Sequence, residues 1–326
     1  MLVINRAEVE RLLDLDQLVD SVSAALSELS VGNAALPIRA TASASRPKSL
    51  LIAMPTYLHA CEALLTKVVS LFPENRDRPT HQAVICVFDP DNGTPVALMD
   101  GTYITAARTA AGSALATRLL CATMTKTVSI IGTGVQAEAH VRAMIRILPE
   151  ARVMVAGRSA GKARWLAERL SSDLRVPIEA AASVEEAVRL ADVVCAVTHA
   201  DRPVIRREWL NAGAHVNSVG HNSAGQGEVD TGTIRDALVV VESRTAALAP
   251  IPSGAVDLLQ AVALGALTAE RIIELGDLAS GRATGRTDQQ GLTLYRSVGV
   301  AVEDAAAAML VLKSARQEGV GTEIAV

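Results

Sequence analysis

The chain has 326 residues, half of them hydrophobic but only 2% aromatic, and a formal net charge of −4. That length allows two domains with real cores, built from Ala, Val, Leu and Ile, and the slight acidic excess argues against a nucleic-acid or other polyanionic partner. No apolar run is long enough to span a bilayer and Met1-Leu2-Val3-Ile4-Asn5 is no signal peptide, so no membrane partner and a cytoplasmic location are expected.

In chain order, Glu8–Ser30 has helical periodicity, with Val9, Leu12, Leu13, Leu18, Val22, Leu26 and Leu29 as the apolar set. Pro37-Ile38-Arg39-Ala40 opens an extended region, and Ser49–Met54, Ala63–Ser70 and Thr80–Phe88 read as strands. Asp89-Pro90-Asp91-Asn92-Gly93 is a strong turn signal and Pro95–Met99 returns, so Ala83–Met99 is expected to form a β-hairpin with a longer loop. Ile104–Leu120 is Ala-rich and helical. This first third is an α+β unit.

From Thr127 the pattern alternates strand and helix. Strands are expected at Val128–Ile131, Arg152–Ala156, Val193–Val197, His215–Val219 and Leu238–Val241, with helices at Lys162–Leu170 and Val184–Leu190 between them. Such alternation implies a doubly wound parallel sheet whose strand ends carry the ligand, and Gly132, Gly157, Thr198 and Gly220 all follow strands. A last amphipathic, Ala-rich helix is expected at about Val298–Arg316, and the tail after Glu318 is expected to fray. The scattered Cys61, Cys86, Cys121 and Cys195 form no CxxC and read as buried free thiols in a reducing compartment. The six histidines show no HxH or HExxH spacing, so no metal is expected.

The stretch that organises the chain is Thr127–Met144, an apolar β-branched run, then Gly132-Thr133-Gly134, then a segment of helical period. Gly132 permits the tight turn, Gly134 lets the backbone approach a pyrophosphate, Ala137 takes the third small position, and the helix N-terminus offers free N–H groups to phosphates. A bare GxG is a weak signal; strand before and helix after make it a dinucleotide fingerprint. In NAD-binding versions of this motif an acidic residue ends the second strand and binds the ribose hydroxyls. Here that strand ends in Gly157-Arg158-Ser159, without a carboxylate, and Lys162 lies one turn on. Arg158 can contact a 2′-phosphate and Ser159 can donate to it, so NADP is expected ahead of NAD; the alternative is a solvated arginine beside a serine helix cap.

Arg39, Lys67 and Arg108 each sit among apolar neighbours, in PIRA, LLTKVV and TAARTAA. Buried cations are costly unless paired. Each alone reads most simply as a snorkelling side chain or an internal ion pair; together, ahead of a dinucleotide domain, they suggest a carboxylate-binding pocket.

The segments LLTKVVSLF, THQAVICVFDPDNGTPVALMDGTYITAARTAAGSALAT, IGTGVQAEAH and SVGVAVEDAAAA together resemble the ornithine cyclodeaminase/mu-crystallin family, in order, from about Arg39 to Lys313. The resemblance implies a homodimer. An N-terminal substrate-binding and dimerisation domain (1–118) would be joined by the C-terminal helix (292–326), and a Rossmann domain (119–291) would hold NAD(P). It implies that Arg39, Lys67 and Arg108 are substrate-carboxylate and catalytic residues. Thr80, His81 and Ser297, with Arg108 beside them, would contact the nicotinamide half. Gly132, Gly134, Val135 and Gln136 would form the phosphate loop, and Thr198 and Val219 the second wall.

The departures from the family pattern bear on the reaction. Family cyclodeaminases and the related alanine dehydrogenases have a Gly-Asp-x-Pro-Gly-Lys-like loop with a catalytic Asp. Here the loop is Gly220-His221-Asn222-Ser223-Ala224-Gly225-Gln226, with Asn222 at the Asp position and Gln226 at the Lys position. An amide cannot accept the proton, so general-base chemistry there is lost; His221 is a substitute donor or a plain loop residue. Cyclodeaminases also carry an acid two residues before Met-Pro, where this chain has Ile52 before Met54-Pro55. The mu-crystallin branch likewise lacks the Asp and includes NADPH-dependent ketimine reductases. The expected activity is therefore NAD(P)H-dependent reduction of a small carboxylate-bearing imino acid such as pyrroline-2-carboxylate. The alternatives are ornithine cyclodeaminase or alanine dehydrogenase-like activity, and a non-catalytic NADPH-dependent small-ligand binder.

Overall fold

Alternating and continuous apolar runs build two different sheets. The structure, a computed structural model, describes residues 1–46, 49–220 and 225–325. The chain divides into two units, Met1–Arg108 with Val300–Val326, and Thr109–Gly299. The expected class holds, an α+β unit and a doubly wound parallel sheet.

In the first unit eight strands form a sheet in the order Thr322–Glu323, Leu2–Ile4, Pro95–Asp100, His81–Phe88, Ala63–Leu71, Leu50–Leu58 and Ala34–Ala35, with Ala40–Ser43 also pairing Leu50–Leu58. Among the described residues, only the pairing of Leu2–Ile4 with Pro95–Asp100 is parallel in this sheet. The expected hairpin forms. Asp89 N–H donates to Thr94 O at 2.8 Å, Gly93 N–H donates to Asp89 O at 2.9 Å, and Gly93 adopts φ +75°, which glycine tolerates without a Cβ penalty. Along Ala63–Leu71 burial alternates strictly, so Lys67 shares the buried face with Leu65 and Val69. The helix Ala301–Glu318 packs on that sheet and on the helix Leu15–Ser30.

Three expectations change here. The single helix from Glu8 is two, Arg6–Leu12 and Leu15–Ser30, because Asp14 breaks the run and its carboxylate accepts from the Asp16 and Gln17 N–H groups at 2.9 and 2.8 Å. The final helix is buried on every face over Ala301–Ala308, charges included, rather than amphipathic along its length. The tail does not fray at once, since Thr322 and Glu323 pair with Val3 and Leu2, and Ile324 N–H donates to Met1 O at 3.0 Å.

The second unit holds eight parallel strands in the order Ile178–Ala180, Arg152–Ala156, Thr127–Ile131, Val193–Ala196, His215–Ser218, Leu292–Arg296, Ala237–Val241 and Ile273–Glu274. Its two faces bury separate cores. Val128, Ile130, Val153 and Val155 pack with Val141, Met144, Leu166 and Leu170. Ile131, Val194, Val216, Val239 and Leu294 pack with Val188, Leu258 and Ala261. The strand Leu292–Arg296, buried at every position, went unread in the sequence; it places the return to the first unit at Val300. Cys195 is buried as expected, Cys86 and Cys121 are half-buried, and Cys61 is exposed against expectation, since it closes a surface turn.

Candidate active site

Two groups of candidate residues take shape, one in each unit. In the first, Lys67 is 1% exposed and Arg108, on the helix Gly101–Leu120, is 5% exposed. Both meet carboxylates from the first turn of Ala301–Glu318. Lys67 Nζ lies 2.7 Å from Asp304 Oδ2, Arg108 Nε donates to Asp304 Oδ1 at 3.1 Å, and Arg108 Nη1 donates to Glu303 Oε2 at 2.8 Å. Glu303 Oε2 also accepts from the Val300 N–H at 3.0 Å, which fixes it at the helix start. Two cations against two carboxylates make the burial tolerable. Burial drives the Lys67 pKa down to about 8; Asp304 opposes the shift, and Arg108 and Arg39 add to it. Burial works against the Asp304 charge too, yet Arg108 and Lys67 hold its carboxyl below the ordinary range. Arg39 is half-buried just before Ala40–Ser43. Thr80 is half-buried, with its carbonyl bonded to the Phe72 N–H at 2.8 Å, and His81 is exposed at the start of its strand. Ile52 is half-buried in Leu50–Leu58.

In the second unit the sheet order sets the strand ends in a row. Strand succession reverses between Thr127–Ile131 and Val193–Ala196, the switch point where open α/β sheets bind ligands. Gly132 follows one of these strands with φ +141°, and a Cβ there would lie 2.8 Å from both Val197 Cγ2 and Val197 O. Only glycine lets the two strand ends approach that closely. Gly134, by contrast, is the helix N-cap, and a Cβ there would meet nothing within 4 Å. That open space lies at the N-terminus of Val135–Ile147, where free N–H groups favour an anion. Val135 is exposed there, and Gln136 Oε1 is buried with no hydrogen-bond partner among the described residues. Open glycine backbone at a helix N-terminus suits the pyrophosphate of a bound dinucleotide. Gly157 packs against Thr133, Arg158 is exposed, and Ser159 caps the next helix by accepting from the Lys162 N–H at 3.3 Å. The cap uses a Ser159 lone pair and leaves its hydroxyl proton to donate.

Thr198 and Val219 are half-buried at the ends of the next two strands, and Ser297 is buried after Leu292–Arg296. Three carboxylates that sequence reasoning missed hold this edge. Ser297 Oγ donates to Glu242 Oε1 at 2.5 Å, as does the Gly299 N–H at 2.9 Å. Asp257 accepts from Arg296 Nε at 2.9 Å, while Arg296 Nη1 donates to Ser218 O and Ser297 O at 3.1 and 2.7 Å. Glu228 receives Thr198, Ser218 and Gly220. The one signal for these acids was the buried cation or turn that needs a partner; nothing local marks them. His221 and Asn222 lie outside the described residues. Among the described residues no group of three or more His, Cys, Asp or Glu side chains could hold a metal ion, and no helix is long and apolar enough to cross a membrane.

The chain is similar to proteins already known. The mouse (Mus musculus) ketimine reductase mu-crystallin is 37% identical over 302 residues, 91% of each chain. A Δ1-pyrroline-2-carboxylate reductase of Bacillus cereus is 34% identical over 328 residues, 99% of each. The solved Thermococcus litoralis Δ1-pyrroline-2-carboxylate reductase, in complex with NADH and L-proline, superposes with a TM-score of 0.94 at 35% identity, over 99% of this chain and 100% of that one. Residues 1–319 match a single family description, and the chain belongs to the ornithine cyclodeaminase/mu-crystallin family.

Proposed function

We propose that this protein is an NAD(P)H-dependent reductase of small α-imino acids, with pyrroline-2-carboxylate as the first substrate to test. The observation that carries the reading is Lys67, a fully buried ammonium held by one carboxylate with its pKa brought to about 8. A lysine so tuned can give up a proton near neutrality, which reduction of an imine requires. A dinucleotide held by the glycine turn would supply the hydride for the imine carbon. Lys67 gives its proton to the imine nitrogen, Arg108 and Arg39 hold the substrate carboxylate, and the products are the amino acid and the oxidised cofactor. Asp304 keeps Lys67 aimed and charged until transfer. The relatives named for reduction of ketimines and of pyrroline-2-carboxylate, and the solved relative holding NADH and L-proline, support this assignment.

On the cofactor side, Gly132, Gly134, Val135 and Gln136 would hold the pyrophosphate, Arg158 and Ser159 a 2′-phosphate, and Thr198, Val219 and Ser297, with Thr80 and His81, the nicotinamide half. NADPH is proposed ahead of NADH because Arg152–Ala156 ends without a carboxylate and is followed by an exposed arginine. The proposal includes a homodimer and a cytoplasmic location, the latter in keeping with four unpaired cysteines.

Decay of NADPH and NADH absorbance with a panel of cyclic and acyclic imino acids tests the reading. Turnover is expected, faster with NADPH, and Arg158→Ala should raise the NADPH KM about tenfold, as loss of a charge-assisted hydrogen bond does, with NADH nearly unchanged. Ammonia release from L-ornithine should be negligible, because Asn222 cannot serve as general base. Robust conversion of ornithine to proline would make the protein a cyclodeaminase; cofactor binding without turnover on any substrate would make it a binder.

A further inference from the structure

Glu228 belongs to no motif, yet it is 0% exposed and its carboxylate takes four hydrogen bonds at the ligand-binding edge of the parallel sheet. Thr198 donates to Oε1 through its N–H at 2.5 Å and its hydroxyl at 2.6 Å. Oε2 accepts from the Gly220 N–H at 2.7 Å and from Ser218 Oγ at 3.1 Å. The backbone beneath is fixed as well, since Glu228 O accepts from the Val204 and Ile205 N–H groups at 2.8 and 3.0 Å and Val229 bridges Ile205. Gly220 is matched to it. A Cβ at 220 would lie 2.1 Å from the Glu228 carboxyl carbon.

We propose that Glu228 is a positioning residue for the nicotinamide end of the site, stapling the segment after Val193–Ala196 to the segment after His215–Ser218. This rests on the reading above that Thr198 and Val219 wall the cofactor. Val219 lies between two of the residues Glu228 holds, and Thr198 is held directly, so one carboxylate sets the spacing of both walls. Stability alone gives little reason for it, because a buried charge pays a desolvation cost that apolar packing avoids. Each carboxylate oxygen faces a backbone N–H that cannot rotate away. An amide in its place must therefore set its own NH2 against one of them. Glutamine, nearly the same shape, is the informative substitution.

The test uses full-length Glu228→Gln and the parent, with NADPH affinity by titration, kcat and KM for the imino acid, melting temperature, and amide exchange at Thr198 and Gly220. The variant is expected to exchange both amides faster and to bind NADPH about tenfold or more weakly. Its kcat should fall by up to about 10²-fold, as displacement of a reacting group by an ångström does. KM for the imino acid, whose carboxylate is held elsewhere, should change little. A folded variant with parent-like NADPH affinity and kcat, altered only in melting temperature, would overturn the proposal. Should Glu228→Gln not fold, Thr198→Val, which removes the hydroxyl that donates to Glu228 and accepts from the Ala200 N–H while leaving the Thr198 N–H in place, takes its place. It is expected to weaken NADPH binding severalfold, and unchanged affinity counts against the staple. In the parent both amides must exchange slowly, and rapid exchange there also overturns it. Exchange and NADPH titration need no turnover, so a parent that reduces no imine would sink the functional reading while leaving this one readable.

Discussion

Lys67 shows how a strand carries a charge through an apolar face. Alternation puts it inward with Leu65 and Val69, and only Asp304, brought by the final helix, makes that position tenable. Removing one partner of such a buried pair typically costs about 3–5 kcal/mol. The cation was legible as an oddity among apolar neighbours. Its partner was not, because Arg108 and Asp304, bonded in the same cluster, stand 196 residues apart. A pH dependence follows. Lys67 must be protonated to act as donor, and its pKa is about 8, lowered by burial from 10.5. Imine reduction should therefore hold below that value and fall as pH rises through it. Asp304→Asn removes the carboxylate that supports the charge, so the falling limb should move to lower pH. A kcat/KM profile with its limb unmoved in the variant would take the donor role from Lys67.

At the scale of elements, the unit of strand Thr127–Ile131, glycine turn and helix Val135–Ile147 was readable nearly residue by residue, because its constraints are local. Its two glycines now have separable roles. Gly134→Ala adds a methyl where nothing lies within 4 Å, on backbone at φ −99° that alanine adopts freely. Melting temperature should stay at the parent value while NADPH affinity drops about tenfold or more, since the methyl would occupy the proposed approach of the pyrophosphate. Gly132→Ala meets Val197 at 2.8 Å with φ +141°, so it should lose stability as well as affinity, by about 1–3 kcal/mol from backbone strain alone. Paired thermal melts and cofactor titrations check both; an equal loss of stability in the two variants would refute the distinction. Leu292–Arg296 went unread for the converse reason. A central strand carrying Thr293, Tyr295 and Arg296 has no apolar run to announce it, and Arg296 is accommodated by Asp257 from a distant helix together with the Ser218 and Ser297 carbonyls.

At the scale of the whole molecule, the first unit's sheet has one face covered by Ala301–Glu318 and another that presents apolar residues. Leu51 is 49% and Val84 46% exposed. Their register, Leu51 opposite Ser70 and Val84 opposite Val68, sets both on the face away from Lys67. A second copy covering this face is the proposed assembly. Sedimentation at micromolar concentration should give a dimer, and Leu51→Glu with Val84→Asp should give a folded monomer. A parent that sediments as a monomer would end the proposal.

What the sequence by itself determined were the features whose causes are near neighbours: the alternation of strands and helices, the hairpin at Asp89–Gly93, the glycine turn, and the lack of an acid after Arg152–Ala156. The Asp14 break was equally local, a capping residue present in the sequence and passed over. Tertiary structure alone decided which charges survive burial. Glu303 and Asp304 neutralise Lys67 and Arg108, and Glu228 and Glu242 hold the strand ends, through contacts that join residues remote in the chain. A propensity is a property of a few adjacent residues, whereas the tolerance of a buried charge depends on what the rest of the fold delivers to within hydrogen-bonding distance of it.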